Sequence, residues 1–144
     1  MIIPKVHVNA PVVQKDIDGH NVMEAPSSPD QVAWYPFSAE PGAGSNAVFS
    51  GHLDFAGRGP AVFWRLHELR AGDPLELEPA SGPGYRYRVT SVQTYDANTG
   101  AVAEIIGPTA VDSVTLITCE GTYSKRSGYS ERLIVRAQIE PTGA

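Results

Sequence analysis

Two runs, VTLITC at Val114–Cys119 and RLIVRAQI at Arg132–Ile139, decide how this chain folds. Both are short, dense in β-branched residues and bounded by polar or turn-forming ones, the pattern of strands rather than helices. In the second run a period of two sets Leu133, Val135, Ala137 and Ile139 on one face and Arg132, Ile134 and Arg136 on the other. The joining stretch EGTYSKRSGYSE is polar, so the two runs read as antiparallel neighbours linked by a loop. That pairing brings Cys119, at the end of the first run, toward Arg132, at the start of the second.

Ahead of this pair, Asp96 to Asp112 contains Asn98, Gly100, Gly107 and Pro108 and reads as a long loop around Val102–Ile106. Loops of that length inside a compact domain are often functional. Pro74–Glu78 and Tyr85–Tyr95 form a hairpin through Ser81–Gly84, with Tyr85, Tyr87 and Val89 on one face. In PAVFWRLHELR at Pro60–Arg70, Pro stands at N1, Phe63, Leu66 and Leu69 recur at helical spacing, and Gly72 follows, which predicts the one short helix. The glycine-rich PGAGSN at Pro41–Asn46 is a loop, and Ala47–Ser50 is a short buried strand running into Gly51-His52. Pro26–Pro36 is too proline-punctuated for more than one helical turn after Ser28, with Trp34 and Tyr35 covering one end of the core. Ile3–Val13 alternates β-branched with polar residues and predicts a first strand, bounded or interrupted by Pro4 and Pro11 near an edge.

Composition narrows the function classes. The 144 residues suit one domain with its own core, and 14 Gly and 12 Pro among short apolar runs favour a β-rich architecture over a helical bundle. A net charge of -5 without a basic block, and without zinc-finger or stacked-aromatic signatures, argues against nucleic acid as a partner. No apolar run approaches the roughly 20 residues of a spanning helix. One Cys rules out an internal disulfide and a multi-thiolate metal site, leaving a small buried thiol or a nucleophile. Acidic residues are scattered with no recognisable calcium loop, so no metal-ligand set and no cofactor is assigned from the sequence, and calcium dependence is not readable in it.

Cys119, His52 and Arg132 all fall at strand ends in this reading. Each has an ordinary alternative: Cys119 as a core residue, His52 as part of a turn, Arg132 as a solvated edge charge. Three motifs taken jointly favour chemistry. Thr115-Leu116-Ile117-Thr118-Cys119 resembles the TLxTC signature of the sortase family, Ser50-Gly51-His52 with Asp54 is similar to its Gly-His motif, and Glu131–Ala137 is similar to its Arg-bearing final strand. IPKVHVNAPVV is similar to the family's first strand, and GHLDFAGRGPAVFWRLHELRAGD is most similar to class F, with class D or E the alternatives.

The resemblance implies an all-β-dominated fold, the sortase eight-stranded β-barrel with short connecting helices, in one catalytic domain over residues 1–144. It implies a cysteine transpeptidase at the outer face of the bacterial cytoplasmic membrane, whose N-terminal anchor is not part of this sequence. The implied substrate is an LPxTG-type sorting-signal peptide, cut between Thr and Gly through a thioester and passed to an amine of a peptidoglycan precursor or a pilin. Cys119 is the implied nucleophile, His52 the general acid and base, and Arg132 the donor to substrate oxygen, since a guanidinium stays protonated. Thr118 and the backbone N–H of Glu120 are candidate oxyanion contacts, with Thr118 equally readable as a strand residue whose hydroxyl is satisfied. Ala101, Val102, Ala103 and Ile105 line the substrate by their order in the family. His7, His20 and His67 are expected to be structural or solvated. Unperturbed Cys and His would give about 3% thiolate and 24% imidazolium at pH 7, with about 1% of molecules carrying both. The rival readings are a plain cysteine hydrolase and a catalytically silent β-barrel binding module.

Overall fold

The computed structural model describes residues 1–20, 22–79, 82–98, 101–126 and 128–141, with the backbone alone for 120–122. Its strands in chain order are β1 (Ile2–Ile3), β2 (Val8–Asn9), β3 (Val12–Gln14), β4 (Val32–Trp34), β5 (Asn46–Ser50), β6 (Asp54–Phe55), β7 (Gly59–Pro60), β8 (Pro74–Leu77), β9 (Tyr85–Asp96), β10 (Ser113–Ser124) and β11 (Gly128–Ile139). A five-residue helix, α1 (Val102–Ile106), precedes β10. Nine strands form one sheet in the order β2-β1-β8-β9-β11-β10-β5-β4-β3, and β6 and β7 form a separate hairpin.

Chain connectivity forces this sheet to curl. The edge strands β2 and β3 are separated in the chain by Ala10 and Pro11 alone. Those few Cα steps span at most about 11 Å, whereas nine flat strands would set the edges about 38 Å apart. The fold is therefore a curled, barrel-like sheet, as expected, and its main core lies inside the curl. Ile3, Phe49, Phe63, Leu66, Leu69, Leu75, Tyr87, Leu116 and Val135 are buried there. A second, smaller cluster of Ala33, Tyr35 and Val48, packed by Met23, Ile106 and Ile117, lies on the other face.

Several elements differ from the sequence expectation. The first strand is broken into β1, a 3-10 turn over Pro4–Val6, β2 and β3, because Pro4 opens the turn and His7 caps it at φ 58°. Where a helix was expected over Pro60–Arg70, there is only a 3-10 turn at Leu66–Glu68. The N–H groups of Val62 and Phe63 donate to the carbonyls of Pro29 and His52. Bonds within the segment, such as Leu66 N–H to the Phe63 carbonyl and Leu69 N–H to the Leu66 carbonyl, reach back three residues rather than four, so it forms turns instead of an α-helix. Phe63, Leu66 and Leu69 are nonetheless buried, as their spacing predicted. Val32–Trp34 forms a strand where at most a helical turn was expected, pairing with β3 in parallel and β5 antiparallel. The loop from Asp96 contains α1, although Gly100 lies outside the described residues. The hairpin of β8 and β9 forms as predicted, with Leu77 opposite Tyr85; Ser81 of its turn lies outside the described residues. The polar stretch after Cys119 is largely strand, with Tyr123 paired to Tyr129 and Ser124 to Gly128.

Asn46 anchors α1 to the sheet. Its buried amide donates to the carbonyls of Ile105 and Gly107 at 3.0 and 2.9 Å, and its Oδ1 accepts from Thr115 Oγ1 at 2.7 Å. Asn46→Ala leaves all three groups without that partner. The expected loss is about 2 kcal/mol of unfolding free energy, measured by urea denaturation. A loss below about 0.5 kcal/mol, the size of an ordinary surface substitution, would contradict this role for Asn46.

Candidate active site

The site lies where β5 ends against β10 and β11, and those two run on. β10 continues past Cys119 to Ser124 and β11 starts at Gly128, before Arg132, so neither residue stands at the strand end expected from the sequence. β5 and β10 run parallel in a register that ends at Ser50 opposite Ile117, and β11 returns antiparallel with Arg132 directly opposite Cys119. Two bonds extend the parallel contact past the end of β5: Gly51 N–H donates to the Ile117 carbonyl at 3.2 Å, and Thr118 Oγ1 donates to the Gly51 carbonyl at 2.9 Å. Carried on by two residues, that register sets His52 level with Cys119. Gly51 is required by space: a Cβ there would meet Phe63 Cδ2 at 2.7 Å and Val62 Cγ1 at 2.9 Å.

Alternation along the strands decides which way each side chain faces. Leu116 and Leu133 belong to the main core, so Thr118, in step with Leu116 and paired with Leu133, is on the inner face and 3% exposed. Cys119, in step with Ile117, is on the outer face with Arg132 and Ile134. Thr118 thus holds the Gly51-His52 segment against the Cys119 strand through its hydroxyl. Glu120 pairs with Glu131 through the backbone, and its side chain lies outside the described residues.

His52 is fixed on two sides. Its Nε2 is 2.6 Å from the Pro26 carbonyl, and its ring meets Phe55 edge-on at 5.2 Å. A carbonyl only accepts, so Nε2 carries the hydrogen and Nδ1 is left for proton exchange. Arg132 Nη1 donates to the carbonyls of Tyr129 and Glu131 at 3.2 and 3.1 Å, and among the described residues it forms no ion pair. Cys119 is half-buried. Burial pushes its thiol up, the Arg132 charge opposes this, and the Asp54 carboxylate adds to the rise.

Two neighbours were not singled out as site residues by sequence. Tyr129 donates its hydroxyl to Asp54 Oδ2 at 2.6 Å, and that bond, with burial, pushes the phenol up to about 12. Tyr129 stood inside a stretch read as loop; reading the stretch as paired strands sets it opposite Tyr123, with ring centroids 5.2 Å apart. Asp54 appeared only as an adjunct of the Gly-His motif.

The expected lining residues sit at a different level. Arg136, on the same face as Arg132, donates through Nη2 to the carbonyls of Glu104 and Ile105, so α1 lies over the outer face four residues along β11. Ala101 precedes that helix, Val102 is 51% exposed, Ala103 is exposed, and Ile105 is buried. The cavity of about 410 Å³ lined by Trp34, Phe49, Leu77 and Tyr85 does not include Cys119. Among the described residues no group of three or more His, Cys, Asp or Glu side chains is arranged to hold a metal ion, and no helix is long and apolar enough to cross a membrane.

A sortase domain model matches residues 1–140. The structure resembles sortase C-1 of Actinomyces oris with a TM-score of 0.76 at 22% identity, covering 98% of this chain and 72% of that one. It resembles a lid mutant of sortase A from Corynebacterium diphtheriae with a TM-score of 0.74 at 22% identity, covering 98% and 68%. Sortase A of Listeria monocytogenes gives 0.72 at 22% identity, covering 96% and 83%. Among curated proteins none matches by sequence.

Only the thiolate is alkylated at useful rates, so a raised thiol reacts slowly near neutrality and gains rate as pH climbs past the ordinary thiol range. Iodoacetamide labelling of this single Cys should reach half its maximal rate at higher pH than free cysteine does. Arg132→Gln should move that midpoint higher still. A wild-type midpoint at or below that of free cysteine would contradict the electrostatic picture.

Proposed function

The chain belongs to the sortase family, and on that premise we propose that it is a cysteine transpeptidase acting on an LPxTG-type sorting signal. The observation that carries the reading is the cross-strand pairing of Cys119 with Arg132 on the outer face, with Gly51-His52 bonded to the same strand. A nucleophile, a proton-exchanging imidazole and a fixed cation at one rim are the parts that acyl transfer needs.

In this mechanism Cys119 Sγ attacks the Thr carbonyl of the signal, and His52 Nδ1 delivers a proton to the departing Gly amine. The thioester then meets an amine on a peptidoglycan precursor or a pilin, and His52 takes a proton from it. Burial favours the neutral thiol at rest, so the thiolate forms as His52 accepts the thiol proton, with the charge of Arg132 favouring it against burial. Arg132 turns a guanidinium N–H from a backbone carbonyl to the oxyanion. The signal runs along the outer face toward α1. From the Cys119 level to the Arg136 level is about 13 Å, the length of an extended tetrapeptide, which suits Leu-Pro-x-Thr with its apolar end near the exposed Val102.

Under this reading residues 1–144 form one catalytic domain, and the enzyme works at the outer face of the cytoplasmic membrane. The class F assignment rests on the Gly-His-Leu-Asp run at Gly51–Asp54 and the sequence after it.

Incubation with an LPxTG peptide and an amine, read by mass spectrometry, tests the reading. Wild type should yield both a Cys119 acyl-enzyme and the amine-capped product, and Cys119→Ala neither. His52→Ala should lose nearly all turnover, and His67→Ala, at an exposed turn position, little. Arg132→Lys should fall about 10²-fold, the scale of a lost oxyanion donor, because an ammonium does not reproduce the planar fork. Hydrolysis without amine capture would make the chain a hydrolase, and near-normal turnover in Arg132→Lys would reduce Arg132 to a generic charge.

A further inference from the structure

We propose that Asp54, held by Tyr129 beside Cys119, is the docking point for the positively charged amine that receives the acyl group. This rests on the thioester reading above and names the residue that recognises its second substrate. Asp54 lies two residues after His52, at the start of the β6–β7 hairpin. Tyr129 joins it to the opposite wall of the site: the phenol hydroxyl donates to Asp54 Oδ2, while the Tyr129 carbonyl accepts from Arg132 Nη1. The carboxylate is thereby fixed between the segment that carries His52 and the strand that carries Arg132.

Asp54 has no cationic partner among the described residues. The titratable groups that feel its charge are Tyr129, through the hydrogen bond, and Cys119. Its charge works against the thiolate, adding to the rise of the Cys119 thiol. A carboxylate so placed therefore hinders the first half-reaction. The second half-reaction accounts for it, because an aliphatic amine arrives protonated near neutral pH, and an ammonium is drawn to a carboxylate. Tyr123, 61% exposed, and Tyr129 add aromatic faces that favour a cation.

The chemistry balances without another reactant. The ammonium docks on Asp54 and gives one proton to neutral His52. The free amine attacks the thioester carbonyl, a C–N bond forms, the C–S bond breaks, and the leaving thiolate takes up the second amine proton.

The test is nucleophile competition on the preformed acyl-enzyme, comparing glycinamide, mostly protonated near pH 7, with hydroxylamine, uncharged there. In Asp54→Asn, which retains an acceptor for the Tyr129 hydroxyl, glycinamide capture should fall about tenfold more than hydroxylamine capture, the worth of one charge-assisted hydrogen bond. In wild type, raising the salt concentration should slow glycinamide capture relative to hydroxylamine, a measurement that stands even if the variant folds poorly. Equal losses for both nucleophiles, or equal salt dependence, would overturn the proposal and leave Asp54 as a structural tie. Failure of wild type to form an acyl-enzyme would overturn the thioester reading together with it.

Discussion

The parallel contact between β5 and β10 is the constraint on which the site depends. β5 ends at Ser50 opposite Ile117, at the rim of the shared sheet, while β10 runs on to Ser124, so Gly51-His52 leaves β5 beside Thr118-Cys119. β11, antiparallel to β10, begins near that rim and contributes Arg132. The distant β5 segment thus meets the β10–β11 hairpin at the level of Cys119 and Arg132. The contact is finished by Gly51, whose missing side chain leaves room for Phe63, and by Thr118, whose hydroxyl closes the last bond. Substituting either would disturb His52 without touching the imidazole.

Electrostatically the resting site is quiet. Burial is the largest influence on Cys119 and favours the neutral thiol, and Arg132 is bonded to backbone carbonyls of its own strand. Both groups are partly exposed, so a substrate can reach them without unfolding any element. At rest the thiol is held neutral by burial, with the charge on Arg132 opposing that effect. A shallow site on a sheet face, rather than a deep cavity, is consistent with an extended peptide as substrate and with a second, cationic substrate entering from the Asp54 side.

How much of this was legible depends on the range of the interactions involved. The pairing of Cys119 with Arg132 could be read from two short runs, because period-two alternation and β-branched residues are local signals. The burial of Phe63, Leu66 and Leu69 was legible for the same reason. Their backbone was not, since the entry to the segment is held by the distant carbonyls of Pro29 and His52, which accept from Val62 and Phe63, and the rest closes in three-residue turns. β4 was missed because its strand character comes from β3 and β5 on either side rather than from its own proline-flanked residues. Tyr129 was hidden by polar neighbours that read as loop, although the same residues pair across a tight hairpin. The Pro26 carbonyl that orients His52 had no sequence signal, because every residue carries a carbonyl.

The central claim is that Cys119, His52 and Arg132 act on one substrate carbonyl. A crystal structure of Cys119 covalently trapped with an LPxT-type peptide bearing an electrophile at the Thr position tests it most directly. The account predicts that an Arg132 nitrogen leaves the Tyr129 or Glu131 carbonyl and lies within about 3 Å of the trapped oxygen, with the peptide extended toward α1. A trapped complex in which Arg132 stays on both carbonyls, or in which the peptide leaves the outer face, would contradict it.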